Sequence, residues 1–207
     1  KRRGCSDPSE RNHRRLFCYA RLWRIELFPG IAAPMDLLYD DIVNAVDVLR
    51  KGGVILYPTD TIWGIGCDAT DVAAVERIYR IKQREDSKSM LVLLENPNRI
   101  TSYVSEMPEI AWDLIELSEK PLTIIYDRAR NLAPNLLADD GSIGIRITRE
   151  AFSSRLVERF RKPLVSTSAN ISGQAAPGAF QDISEEIKMQ VDYIVKYRQD
   201  DSSKAKP

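Results

Sequence analysis

The chain has a single histidine, His13, only three cysteines, and no apolar run approaching the roughly 18 residues that a membrane-spanning helix needs. With its one imidazole near the amino terminus, a Ser-His-Asp triad or a histidine-rich metal centre is excluded from the rest of the chain. Cys5, Cys18 and Cys67 have no metal-ligand spacing and are odd in number, so a disulfide framework is not expected. The plain reading is a reduced, cytoplasmic setting with Cys67 as a small core residue. There is no internal repeat and no Pro- or Gly-rich interdomain linker. Net charge is also lacking, because 30 Lys and Arg balance 30 Asp and Glu.

What is present is ordinary for one globular domain: 207 residues, 43% hydrophobic and 29% charged. The charge is uneven along the chain. Residues 1–34 hold eight Lys/Arg against three Asp/Glu, and the remainder is correspondingly acidic, at −5. Arg21 and Arg24 interrupt the one apolar run in this arm, which argues against a secretory signal. The expectation is a non-native or disordered extension over 1–34, a domain over 35–198 beginning at Met35, and a polar tail over 199–207.

The domain pivots on residues 53–66, Gly-Val-Ile-Leu-Tyr-Pro-Thr-Asp-Thr-Ile-Trp-Gly-Ile-Gly. Its β-branched start reads as a buried strand, and Pro58, which cannot donate to a ladder, ends that strand at Tyr57. Thr59, Asp60 and Thr61 then emerge at a strand's carboxyl end, where open α/β sheets hold ligands. Thr59 and Thr61 share a face if this segment is extended. Before it, Ile42, Val43, Val46, Val48 and Leu49 form a helical stripe. After it, Asp68 or Asp71 caps a second helix with Val75, Ile78 and Tyr79 inward.

Further strands are expected at 90–94, 121–126, 143–147, 163–165 and 191–195, with helices at 107–119, 151–160 and 184–189. The helix at 107–119 carries apolar positions at Ile110, Leu114, Ile115 and Leu117. Lys82 and Arg84 point about 200° apart on a continuing helix, but share a face if the chain extends near Lys82. Two converging cations suit a phosphate or carboxylate; a solvated basic helix end is the plainer reading. Arg146, within an apolar strand, needs either an ion-pair partner or a ligand. Ser166, Ser168 and Asn170 repeat the strand-then-polar pattern and share a face if extended, offering hydroxyls and an amide.

Taken together, residues 52–66, 81–91, 121–125 (PLTII), 143–147 (IGIRI) and 163–173 (PLVSTSANISG) resemble, in order, the YrdC-type threonylcarbamoyl-adenylate synthases. The resemblance spans about residues 40–195. It implies a single-domain α/β fold, a twisted mixed sheet with helices around a concave cavity. It also implies synthesis of L-threonylcarbamoyl-AMP from L-threonine, bicarbonate and ATP, with pyrophosphate released. Downstream tRNA-modifying transferase proteins then use the product on the adenosine beside certain anticodons.

Carried over by motif, Lys82 and Arg84 are the catalytic cations. Lys88, Ser166, Ser168 and Asn170 are the ATP and phosphate contacts, and Thr59, Thr61, Thr123 and Arg146 the threonine end. ATP is a substrate, and Mg²⁺ is expected on its phosphates rather than in a protein cage. Such chemistry needs positioning and charge neutralisation rather than a protein nucleophile. Family members that depart at Ser-x-Asn have no assigned function, whereas Ser168 and Asn170 keep the motif. This chain departs at Glu85 and Thr148, where the family commonly has prolines. The resemblance also leads one to expect, beyond Pro207, a final strand bearing an arginine. The competing reading is a module of the same fold that binds tRNA or double-stranded RNA without turnover, using Arg77, Arg80 and Arg84.

Overall fold

Apolar runs too short and too β-branched for helices become the strands of one sheet, and the 3.6-residue stripes between them become its helices. The computed structural model describes residues 34–83 and 90–201. In chain order the elements are α1 (Pro34–Arg50), β1 (Ile55–Tyr57), β2 (Gly64–Gly66), α2 (Val72–Lys82), β3 (Leu91–Leu94) and α3 (Glu109–Leu117). They continue with β4 (Thr123–Tyr126), β5 (Ile143–Ile147), α4 (Ala151–Phe160), β6 (Leu164–Ser168), α5 (Glu185–Gln190) and β7 (Tyr193–Ile194). The seven strands run in the order β4-β5-β3-β6-β2-β1-β7. β3 pairs with β5, and β1 with β7, in parallel; the other pairs are antiparallel, so the sheet is mixed.

β1 stops at Tyr57, immediately before Pro58, and the chain returns as β2. Every residue of both strands is buried. Gly66 is required by close approach: a Cβ there would lie 2.6 Å from the Val165 carbonyl oxygen and 2.7 Å from Cε1 of Tyr57. α1 and α4 pack on each other, and Leu38, Ile42, Val46 and Leu49 of the first and Phe152, Leu156, Val157 and Phe160 of the second are buried. Each such side chain contributes roughly 1.5–3 kcal/mol by leaving water.

α2 starts at the Asp71 cap, whose carboxylate accepts from the backbone N–H of Ala73 and Ala74. It ends at Gln83, whose left-handed conformation (φ 50°) no helix can continue. Val75, Ile78 and Tyr79 face inward, as their spacing predicts. Arg77 grips Asp192 through both terminal nitrogens, at 2.5 and 2.9 Å, and Asp192 also accepts from the Val54 N–H at 2.7 Å. One carboxylate thus ties α2 to the start of β1 beside β7. α3 differs from its neighbours: only Ala111 is buried, and Ile110, Leu114 and Leu117 are 61%, 47% and 80% exposed. Its apolar stripe is real but turned outward.

Among the described residues no helix is long and apolar enough to cross a membrane.

Candidate active site

The register of the sheet places one row of side chains, Ile125–Gly144–Leu91–Ser166, across four strands. This row is the floor of an open cavity of about 340 Å³, which Thr123, Thr167 and Ser168 also line. Thr123 and Arg146 stand opposite each other two residues further along β4 and β5. The Arg146 Nε–H donates to the Thr123 hydroxyl oxygen at 2.9 Å. Among the described residues Arg146 makes no ion pair. Its terminal nitrogens are therefore available to an anion. Tyr57 lies within the electrostatic reach of Arg146 and Asp60 and near the Ser166 hydroxyl, and burial pushes its phenol far above its ordinary range.

Lys82 is not a solvated helix end. Only 2% of it is exposed. Its ammonium donates to the carbonyl oxygens of Ser168 at 2.5 Å and Asn170 at 2.8 Å, and to the Asn170 Oδ1 at 3.4 Å. The backbone continues the link, with the Ser172 N–H donating to the Lys82 carbonyl at 2.8 Å. The last residue of α2 is thus fastened to the carboxyl end of β6, joining the lysine motif to the Ser-x-Asn motif 86 residues away. Arg84 and Lys88, with Glu85, lie outside the described residues.

Ser166 and Ser168 share the cavity face as the strand pattern predicts. Asn170 does not join them in line, because β6 ends at Ser168 and the chain bends. Its amide instead donates to the carbonyls of Ile171 and Gln174 within its own loop. Thr59 and Thr61 do converge, but by a turn rather than by extension. Their hydroxyl oxygens are 3.4 Å apart, Thr59 donates to the Ile62 carbonyl at 2.6 Å, and the Thr61 N–H donates to the Thr59 oxygen at 3.2 Å.

Both threonines line a second cavity, of about 320 Å³. Four of its charged wall residues, Asp60, Arg149, Glu150 and Arg198, were not singled out from the sequence as site residues. Asp60 had a signal, since it stands between the two threonines. Arg149 and Glu150 follow the Arg146 strand directly. Arg198 gave none, lying beside a polar tail; in the structure its Nε donates to Asp201 at 2.6 Å and its Nη1 lies 3.4 Å from Glu150. Residues up to Asp201 therefore fold as a turn against the domain.

Two other observations bear on the readings above. Thr148, at a position where the family commonly has proline, donates its N–H to the Leu94 carbonyl at 2.9 Å, a bond proline could not make. Arg77 and Arg80, invoked for an RNA-binding face, already have carboxylate partners in Asp192 and Glu76.

Comparison with known proteins agrees with this architecture. The family model that joins Sua5, YciO and YrdC, described as "Telomere recombination", matches residues 47–206. The threonylcarbamoyl-AMP synthase of Pseudoalteromonas translucida is 34% identical over 158 residues, which cover 74% of this chain and 84% of that protein. The human threonylcarbamoyl-AMP synthase is 35% identical over 152 residues, covering 72% of this chain and 54% of that protein. Among solved structures, P. abyssi Sua5 complexed with L-threonine superposes with a TM-score of 0.70 at 22% identity, over 80% of this chain. The present chain spans about half of that one, 47% of its length. E. coli YciO superposes with a TM-score of 0.66 at 27% identity, over 80% of this chain and 79% of its own. With the family model covering every strand of the sheet and the synthases matching at this identity, the chain belongs to the Sua5/YciO/YrdC family.

Proposed function

We propose that this domain is a nucleotidyltransferase that forms L-threonylcarbamoyl-AMP from L-threonine, bicarbonate and ATP. The threonine amine and bicarbonate give a carbamate and water. A carbamate oxygen then attacks the α-phosphorus of ATP, the bond to the β-phosphate oxygen breaks, and pyrophosphate leaves. The reaction asks the protein for oriented cations and hydroxyls rather than for a nucleophile. One observation carries the reading. Thr123, Ser166 and Ser168 line one open cavity, Arg146 is hydrogen-bonded to Thr123, Lys82 is fastened to the Ser168 carbonyl, and Thr59 and Thr61 line a second cavity. Relatives bearing the name threonylcarbamoyl-AMP synthase, and a Sua5 structure holding L-threonine, support the same assignment.

In this reading Lys82 and Arg84 act on the phosphates, with Lys88, Ser166, Ser168 and Asn170 beside them. Lys82 and Asn170 work in part by fixing the end of β6. Thr59, Thr61, Thr123 and Arg146 hold the threonine end. Mg²⁺ would ride on the triphosphate, as a small hard cation that keeps several waters and binds through substrate phosphates. The product would pass, in the cytoplasm, to transferase proteins acting on tRNA.

The test is pyrophosphate release from ATP and bicarbonate with and without L-threonine. Release that requires threonine and fails with serine or glycine is expected; threonine-independent release, or none, would refute the reading.

A further inference from the structure

Asp60 is held in a way that its two threonine neighbours are not. Its Oδ2 accepts from the Thr148 hydroxyl at 2.6 Å, and its Oδ1 accepts from the backbone N–H groups of Arg149 at 2.9 Å and Glu150 at 3.0 Å. Three donors on three consecutive residues thus converge on one carboxylate, 88 to 90 positions away in sequence. The Thr148 hydroxyl is itself buried and shared with Ser153 at 2.7 Å.

The segment that Asp60 grips is in turn fastened in two other directions. The Arg149 guanidinium donates to the Ser118 carbonyl at 2.7 Å and the Ile115 carbonyl at 2.8 Å, at the carboxyl end of α3. The Glu150 carboxylate accepts from the Ser153 N–H at 2.7 Å, capping α4, and faces Arg198 at 3.4 Å. The β1–β2 turn, the start of α4, the end of α3 and the Arg198 turn all line the 320 Å³ cavity. Hydrogen bonds join them in one branched network centred on residues 148–150, and among the described residues Asp60 is the charged side chain that ties the Thr59–Thr61 turn to it.

We propose that Asp60 is a positioning residue. It acts through Thr59 and Thr61, setting the distance between their hydroxyls and the opposite wall, and thereby the fit of the small polar substrate in this cavity. Its carboxylate is needed as a three-fold acceptor and not as a counter-ion for the substrate. The inference rests on the reading above that Thr59 and Thr61 contact threonine.

The variants Asp60→Ala, Asp60→Asn and Thr148→Val test it, because they separate acceptor geometry from charge. Asn keeps a carbonyl oxygen for the two backbone donors and an amide that can donate to the Thr148 oxygen. Thr148→Val removes one donor from a residue that does not line this cavity. Asp60→Ala should raise the KM for threonine about ten- to hundredfold, the range expected when a wall moves by about an ångström. The KM for ATP should stay within about twofold, since the variant removes uniform binding of the other substrate alone. Asp60→Asn should stay within about threefold of wild type, and Thr148→Val should fall between the two. Hydrogen exchange supplies a readout without turnover: the Thr61 amide should exchange faster in Asp60→Ala and Thr148→Val while β1 and β2 keep their protection. Unchanged exchange of Thr61 would overturn the clamp whatever the enzyme makes. A loss in Asp60→Asn equal to that in Asp60→Ala, with Thr61 still protected, would also overturn it by assigning the charge to the ligand. If wild type shows no threonine-dependent turnover, the functional assignment fails, and the exchange results alone decide the clamp.

Discussion

Replacing Lys82 by methionine removes an ammonium from a site where it is 2% exposed and holds two carbonyl oxygens. Hydrogen bonds made by a charged donor contribute about 1.5–3 kcal/mol each, so the loss of two amounts to roughly 3–6 kcal/mol. Methionine fills a similar volume and relieves the cost of keeping an ammonium out of water, which returns on the order of 1–3 kcal/mol. The expected net destabilisation is about 2–3 kcal/mol, or a fall in Tm of roughly 4–12 °C for a chain of this size. Arg80→Met is the matched control on the same helix. That side chain is 71% exposed and meets Glu76 only at 3.5 Å, so its loss should change stability by less than about 0.5 kcal/mol. Thermal unfolding followed by circular dichroism reads both variants. Threonine-dependent pyrophosphate release, assayed well below either Tm, should vanish in Lys82→Met and persist in Arg80→Met. A Lys82→Met protein as stable as wild type would refute the claim that the ammonium anchors the end of β6. Wild-type turnover would remove Lys82 from the active set.

Gly66→Ala should destabilise by about 1–3 kcal/mol, because its Cβ would meet the Val165 carbonyl oxygen at 2.6 Å; chemical denaturation with a midpoint equal to wild type would contradict that contact. Asp192 titrates below the usual carboxylate range: burial works against its ionisation, but the hydrogen bonds from Arg77 and the Val54 N–H outweigh it. Its contribution to stability is therefore present above the unfolded carboxyl's pKa and is lost as pH falls through the lower folded value. The gap between wild type and Asp192→Asn should close on acidification, and a gap constant down to about pH 2 would exclude this carboxylate as its source. Tyr193 is the opposite case, its phenol pushed up to about 12 by burial and then by its bond to Asp41. The stability it adds is complete below the unfolded phenol's value and is lost as pH rises through about 12, so Tyr193→Phe should flatten the alkaline unfolding profile. Leu117→Glu, at an 80% exposed position, should cost less than about 0.5 kcal/mol, and a larger loss by denaturant titration would mean that the stripe on α3 is covered.

Local rules made much of this molecule legible. Pro58 ends β1 where a missing N–H says it must, Asp71 caps α2, and the IGIRI run forms β5 with its bounds unchanged. The serine pair was visible because both residues lie within β6, where alternate side chains share a face, whereas the threonine pair meets through a turn that the extended-chain rule does not describe. Residues whose meaning depends on a distant partner were not legible. Nothing near Lys82 in sequence indicates that its charge is directed at carbonyls 86 and 88 positions later rather than at solvent. Nothing near Asp60 announces three donors on 148–150. Asn170 failed the shared-face expectation because strand geometry stops at Ser168, and a period of two holds only while the chain is extended. On α3 the apolar stripe was read correctly, but periodicity does not tell which face of a helix the rest of the chain covers.

The place of β6 in the strand order has a consequence for how the protein is made. β4, β5 and β3 form one half of the sheet and β2, β1 and β7 the other, and β6 alone joins them. Its five residues, Leu164–Ser168, follow α4 and come late in the chain. During synthesis the earlier strands can pair within each half, but the two halves have no common strand until β6 emerges. Such long-range pairing is the slow part of forming a sheet. The step that joins the two halves is also the step that brings Ser166 and Ser168 to Thr123 and gives Lys82 its carbonyl partners. A nascent chain stalled ahead of Leu164 would therefore have unjoined half-sheets with open strand edges and no assembled site, the state most exposed to misassociation.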